Sequence, residues 1–368
     1  MEIVILLFYG ILLWYLLNIF ALIVGFTRVK SFHFNSLIPK TRFTIIVPFR
    51  NEKENLPNLL HSIEKLNYPT HLFEVILVDD DSYEKYEVQS TKYRAIVIDN
   101  KRATNSPKKD AINTAISVAQ NEWIITTDAD CLVPQNWLAA FDAFIQKNSE
   151  PSEPKMIAGG VSYFNPTFFL GVFQQMDLLS LQGTTIGSFG NKNAFMCNGA
   201  NFCYRKDFFE ALNGFEGNEG IASGDDVFLL QKAIEKEPHA VSFLKSNLAI
   251  VQTNPETSWT SLFNQRVRWA SKTGNYKTCY SKQLGLSVFV MNLILILTLC
   301  SGQWKIFLFL FSLKFWVDFG LLSLTSSFFK TRLRHFLLCS LAYPFFSVTV
   351  VFYALLGKYQ WKGRVFKK

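Results

Sequence analysis

The sequence predicts a mixed α/β domain with a mostly parallel sheet, flanked by N-terminal and C-terminal transmembrane helices. Three observations lead there. Between residues 41 and 282, short runs rich in β-branched residues alternate with longer amphipathic stretches, the pattern of strands joined by crossover helices. Residues 3–26 contain no charged side chain, and three more apolar stretches follow residue 282. Acidic clusters fall just after runs that read as strands, where ligands of such sheets bind.

The first element is Ile3–Phe26. As a helix it is about 36 Å long, enough to cross the hydrocarbon core. A cleaved signal peptide would start with basic residues and carry a shorter apolar stretch. Here Glu2 opens the segment, and Arg28, Lys30, Lys40 and Arg42 follow it. Residues 1–27 therefore read as an uncleaved anchor with the following chain in the cytoplasm. Within the domain at 41–282, Phe43–Val47, Val75–Val78, Ala95–Ile98 and Trp123–Thr127 read as strands, with Glu54–Leu66 and Lys108–Val118 as helices. Gln283–Trp304, Ile306–Phe329 and Phe336–Gly357 make up a C-terminal membrane region, 283–357, ahead of a basic tail at 358–368. Lys314 and Asp318 stand four apart in the middle segment, a spacing that lets them pair on one helix face. The stretches 28–42, 330–334 and 358–368 all favour the cytoplasm, which one anchor and three full spans do not satisfy. One apolar segment is therefore expected to be interfacial or re-entrant, with the Lys314/Asp318 segment the first candidate.

Composition excludes several classes. With 49% hydrophobic and 18% charged residues, the chain is too apolar to be disordered. A net charge of +8 raises nucleic acid or a membrane surface as partner. The three basic stretches carry four, three and five cations and no acid, so the remaining chain is mildly acidic. The bilayer is the expected partner and nucleic acid is not. The six cysteines form no C-x-x-C pair, against a zinc site or disulfide framework. Neither G-x-G-x-x-G nor a P-loop occurs, which argues against a dinucleotide enzyme or P-loop NTPase.

Asp79-Asp80-Asp81 and Asp128-Ala129-Asp130 each follow a strand run. On extended chain, side chains two apart point the same way, so two carboxylates converge on one divalent cation able to hold a diphosphate. The plain alternative is a solvated turn. Gly224-Asp225-Asp226 opens a helical stretch, where acids cap the helix and meet its dipole or hold a general base at the site's edge. Gln265-Arg266-Val267-Arg268-Trp269 precedes the membrane region. It reads either as headgroup contacts with an interfacial Trp, or as an amide, a guanidinium fork and an aromatic platform for a phosphorylated leaving group and a sugar ring.

The order of these motifs is more specific than any one of them. Val47-Pro48-Phe49-Arg50-Asn51-Glu52, Val78-Asp79-Asp80-Asp81-Ser82, Asp128-Ala129-Asp130, Gly224-Asp225-Asp226 and Gln265…Arg268-Trp269 resemble the motif series of family 2 glycosyltransferases. They are most similar to the membrane-embedded branch that includes cellulose, hyaluronan and poly-N-acetylglucosamine synthases. The resemblance covers residues about 41–275, and Asn198-Gly199-Ala200-Asn201 before Tyr204-Arg205 resembles that branch's loop near the acceptor. It implies a GT-A fold and an inverting displacement. Glu52 matches an acid near the nucleoside, Asp80 the carboxylate at the base or ribose, and Lys108 a basic residue near the nucleotide. Asp128 and Asp130 match the pair that meets ribose, diphosphate and metal, Asp130 being the direct ligand. Asp226 matches the catalytic base, with Asp225 its neighbour. Gln265, Arg268 and Trp269 match the motif that holds the diphosphate and lines the acceptor channel. Three positions depart from the family pattern: Asp81 and Pro107 stand where glycine is usual, and Asp225 where many members have Glu.

The resemblance thus implies a membrane-bound inverting transferase using a nucleotide-diphosphate sugar, a UDP-sugar first, and Mg2+ or Mn2+. The acceptor would be a hydroxyl of a lipid or polysaccharide, at the cytoplasmic face of a membrane, the bacterial inner membrane first. Two rivals are a non-catalytic anchored protein that binds nucleotide sugars, and a transporter. The latter would show several polar intramembrane positions or repeated halves.

Overall fold

A computed structural model describes residues 2–34, 37–88, 91–148, 153–164, 166–221, 223–276, 278–355, 358–361 and 364–367. Met1, Gly357, Lys362 and Lys368, which belong to the expected anchor, last span and tail, lie outside the described residues. In chain order, α1 (Glu2–Arg28) leads to β1 (Phe43–Phe49), α2 (Leu56–Glu64), β2 (Phe73–Asp79) and β3 (Arg94–Asp99). Next are α3 (Pro107–Val118), β4 (Trp123–Thr126), β5 (Cys131–Leu132), α4 (Trp137–Lys147), β6 (Met156–Gly159) and β7 (Val161–Tyr163). Then come α5 (Phe169–Gly190), β8 (Phe202–Arg205), α6 (Lys206–Ala211), α7 (Asp225–Lys236), β9 (Val241–Leu244) and β10 (Val251–Thr253). The chain closes with α8 (Trp259–Ser271), α9 (Cys279–Cys300), α10 (Trp304–Phe329), α11 (Phe336–Leu355) and the pair β11 (Lys358–Trp361) and β12 (Arg364–Lys367).

These elements form two compact units. An α/β unit takes residues 30–164 and 196–254, and a helical unit takes 1–29, 165–195 and 255–368. The division departs from the sequence boundary at 41–282, because α5 and α8 belong with the apolar helices. Glycines explain why α5 does so. A Cβ on Gly190 would lie 1.8 Å from the Gly25 carbonyl of α1, and one on Gly187 2.5 Å from that of Leu22. Small residues bring the two backbones into contact, as in membrane helix pairs.

The α/β unit is built on a seven-stranded sheet ordered β3-β2-β1-β4-β8-β6-β9. β8 runs antiparallel to both neighbours, and every other adjacent pair is parallel. β1 and β2 are apolar almost without break, as strands covered on both faces must be. Ile45, Val47, Val75 and Leu77 pack with Leu56, Leu59 and Ile63 of α2 and with Leu138 and Phe141 of α4. The alternate residues Ile46, Ile76 and Val78 are equally buried, on the face where α3 sets Ala111, Ile112 and Ala115. From β1 the sheet grows through β2 to β3 on one side and to β4 on the other. In sheets of this kind ligands bind at such a reversal, outside the strands' carboxyl ends.

In the helical unit α1, α9, α10 and α11 are long and apolar enough to cross a membrane. α10 is one continuous helix of 26 residues. Its Lys314 Nζ lies 2.6 Å from Asp318 Oδ2, and the Tyr15 hydroxyl of α1 donates to Asp318 at 2.6 Å. The pair is thus satisfied inside the unit. Trp14 Nε1 donates to Gln283 of α9, whose amide in turn donates to Asn18. β11 and β12 form an antiparallel hairpin where the tail carries its basic residues.

Candidate active site

The loops after β1 and β2 are stitched together. Asn51 takes a left-handed φ of 54°; its N–H donates to Ser82 Oγ, and its side chain accepts from the Tyr83 N–H. Glu52 starts the turn into α2: its carbonyl accepts from the N–H groups of Asn55 and Leu56, and its carboxylate from Asn55 Nδ2 at 2.6 Å. The three aspartates after β2 have separate tasks. Asp79 is buried and accepts from the Ser82 N–H at 2.9 Å, closing the turn. Asp81 sits at φ 64°, a conformation that glycine favours and aspartate tolerates. Asp80 is gripped by Asn100 Nδ2 and Arg102 Nη1, both at 2.8 Å.

Pro107 stands at the first turn of α3, where a missing N–H costs no hydrogen bond. Lys108 keeps its reach: Nζ lies 2.7 Å from Asp128 Oδ1 and 3.5 Å from Asp225 Oδ2. Burial works against this ammonium, but the charges of Asp128, Asp225 and Asp226 outweigh it and raise the Lys108 pKa above the ordinary lysine value. Lys108 is therefore a fixed cation at neutral pH.

Asp225 and Asp226 open α7 behind Gly224, whose φ of 86° turns the chain into the helix. Asp226 is held at both oxygens: Oδ2 accepts from the Gly199 N–H at 2.9 Å and Oδ1 from the Val227 N–H at 2.8 Å. Gly199 permits this because of its size. A Cβ there would meet Asp225 Oδ2 at 3.0 Å and Lys108 Nζ at 3.3 Å. Its carbonyl accepts from Thr126 Oγ1 of β4 at 2.6 Å, tying the strand end to the start of α7.

Asp130 is exposed, with Thr253 Oγ1 of β10 at 3.3 Å. Ligand atoms of Asp128, Asp130 and Cys131 all lie within 4.8 Å of one another. Burial, then the charges of Asp130 and Asp128, push the Cys131 thiol up, so it stays protonated and is a poor metal ligand. Two carboxylates with a neutral thiol suit a hard cation such as Mg2+ or Mn2+ rather than a thiolate-seeking one.

The structure gathers Glu52, Asp80, Lys108, Asp128, Asp130, Asp225 and Asp226 around the carboxyl ends of β1, β2 and β4 and the start of α7. Gln265, Arg268 and Trp269 stand on α8 of the helical unit, each half-buried. Sequence reasoning missed Asn100 and Arg102, which hold Asp80, and Thr253, brought to Asp130 by the pairing of β5 with β10. It also missed buried Lys109. Its ammonium donates to the carbonyls of Asn218 at 2.6 Å and Ile221 at 2.9 Å, fixing the loop that leads to Asp225. Adjacency to Lys108 was the one available signal, and it does not specify carbonyl partners in a loop so distant in sequence.

Carboxylates stand at the switch point of a mostly parallel sheet with flanking helices, the arrangement of a GT-A-like domain. Residues 44–212 match the family model for glycosyl transferase family 2. It is 24% identical over 271 residues to the beta-monoglucosyldiacylglycerol synthase of Trichormus variabilis, covering 71% of this chain and 54% of that one. It is also 24% identical over 266 residues to the poly-beta-1,6-N-acetyl-D-glucosamine synthase of Staphylococcus epidermidis, covering 67% and 59%. The matches thus span a little over half of each relative. The mannosyltransferase PcManGT of Pyrobaculum calidifontis, solved with GDP-Man and Mn2+, shares the fold at a TM-score of 0.52 and 17% identity, over 95% of this chain and 93% of that one.

Proposed function

We propose that the protein is a membrane-bound inverting glycosyltransferase that moves a sugar from a nucleotide-diphosphate sugar, a UDP-sugar first, to a hydroxyl of a lipid or polysaccharide. The transfer takes place at the cytoplasmic face, where the basic stretches at 28–42 and 330–334 favour anionic headgroups. The bacterial inner membrane is the first choice. The observation that carries this reading is the cluster of Lys108 with Asp128, Asp225 and Asp226 beside Asp130. The two relatives, one making a glycolipid and one a polymer, support either acceptor.

In this mechanism Asp226 is the general base. Two backbone N–H groups hold its carboxylate in place, and it takes the proton of the acceptor hydroxyl as that oxygen attacks the anomeric carbon from the face opposite the diphosphate. Asp225, through Lys108, stabilises the arrangement. Glu52 and Asp80 serve the nucleoside. Asp128 and Asp130 would hold the divalent cation, which neutralises charge developing on the leaving diphosphate. Gln265, Arg268 and Trp269 serve the diphosphate and the acceptor. No covalent intermediate is needed. The test is a membrane preparation offered labelled nucleotide sugars with Mn2+ or Mg2+, with lipid-extractable and polymeric products separated. Transfer from at least one donor is expected. Folded protein that transfers from none would overturn the proposal.

A further inference from the structure

We infer that α5 is the seat of the α8 motif, with Gln174 and Asp177 as positioning residues for Gln265 and Trp269; this rests on the proposed role of that motif in transfer. Gln174 and Asp177 stand three apart on α5 and so share a face. Both are buried. The Gln174 amide grips the backbone of Glu256 at both ends, donating to its carbonyl at 2.9 Å and accepting from its N–H at 2.8 Å. Glu256 lies just ahead of Ser258, the N-cap of α8. Its carboxylate accepts from Gln265 Nε2 at 2.8 Å.

The second hold runs through charge. Arg266 Nε donates to Asp177 Oδ2 at 2.5 Å, and each side chain is only 6% exposed. The Arg266 guanidinium lies 4.2 Å over the Trp269 ring and donates through Nη1 to Gln265 Oε1. A carboxylate fixes the plane of a guanidinium as it could not fix an ammonium, and here that plane sets the stacked indole and the neighbouring amide. Two chains of contact thus begin on α5 and end on the motif: Gln174 to Glu256 to Gln265, and Asp177 to Arg266 to Gln265 and Trp269. α5 is itself anchored to α1 through Gly187 and Gly190, so the seat is firm.

The test uses the full chain in detergent. Asp177→Asn, Arg266→Gln and their combination are compared with Asp177→Glu, which keeps the charge. Three readouts apply: kcat for transfer, affinity for UDP with Mn2+, and the Trp269 signal, taken as the fluorescence difference between each protein and its Trp269→Phe counterpart. Asp177→Asn is expected to lower kcat about ten- to hundredfold, the cost of a small misplacement, while UDP affinity changes by less than about threefold. Asp177→Glu is expected to recover part of the loss, and the double variant to be no worse than either single one, since each removes the same interaction. The Trp269 signal is expected to become more accessible to quencher in Asp177→Asn. An unchanged Trp269 signal, or losses that multiply in the double variant, would overturn the inference. Because that signal needs no turnover, wild-type protein inactive on every donor would overturn the transfer reading alone. If Asp177→Asn does not fold, Gln174→Ala tests the other chain of contact: kcat is expected to fall about tenfold with UDP affinity within about threefold of wild type, and an unchanged kcat would overturn the inference.

Discussion

The helical unit and the acidic cluster of the α/β unit bury charge in opposite ways. In the helical unit it comes in matched pairs, Lys314 with Asp318 and Arg266 with Asp177, the first sealed by the Tyr15 hydroxyl. In the α/β unit Lys108 answers three carboxylates at once, with exposed Asp130 beside them. Matched pairs cost desolvation and return fixed geometry; they tell helices where to sit. A surplus of carboxylates over cations at strand ends suits a cation and a charged ligand. Charge alone does not mark function in this chain. Imbalance of charge does.

That contrast can be broken from either side. The largest effect is expected for Asp130→Asn, which removes a ligand without touching the core: transfer should fall about 10³-fold, with added Mn2+ restoring part of it. An unchanged metal dependence would remove Asp130 from the ligand pair. Lys108→Met should leave its carboxylates repelling one another and lower kcat/KM about 10²-fold, with thermal melting showing that the fold survives. In the helical unit, Lys314→Met alone should cost about 3–5 kcal/mol in denaturant unfolding because Asp318 is stranded, whereas Lys314→Met with Asp318→Leu should recover most of it. Equal losses in single and double variants would deny that the pair is architectural. Smallest is Gly199→Ala. The atoms it meets belong to side chains that must shift by a few tenths of an ångström, so a loss of about 1–2 kcal/mol in stability is expected, read in denaturant unfolding.

Much of this was legible in the sequence, for local reasons. β-branched runs and amphipathic stretches gave β1, β2, β3, α3 and β4 to within two residues, since period and side-chain shape act over neighbours. Asp81 in a glycine position read correctly as a turn, and its φ of 64° agrees. Acids at strand ends were legible because a mostly parallel sheet exposes its carboxyl ends. What escaped depends on distant partners. The antiparallel insertion of β8 between β4 and β6, Thr253 beside Asp130 and Lys109 on the carbonyls of residues 218 and 221 leave no local trace. Nor does the sequence show that α5, read within the α/β stretch, packs on α1. That contact is made through Gly25, Gly187 and Gly190, which carry no apolar signature.

The central claim is that Asp226 removes the acceptor's proton while the rest of the cluster binds the donor. Its most direct test is Asp226→Asn in the intact chain, with sugar transfer and UDP–Mn2+ affinity measured on one preparation. Asparagine keeps an oxygen to accept from the Gly199 or Val227 N–H but cannot take a proton at neutral pH. Transfer is expected to fall by about 10³-fold or more, with UDP affinity within about twofold of wild type. Retained turnover, or a loss of UDP affinity equal to the loss of rate, would contradict it.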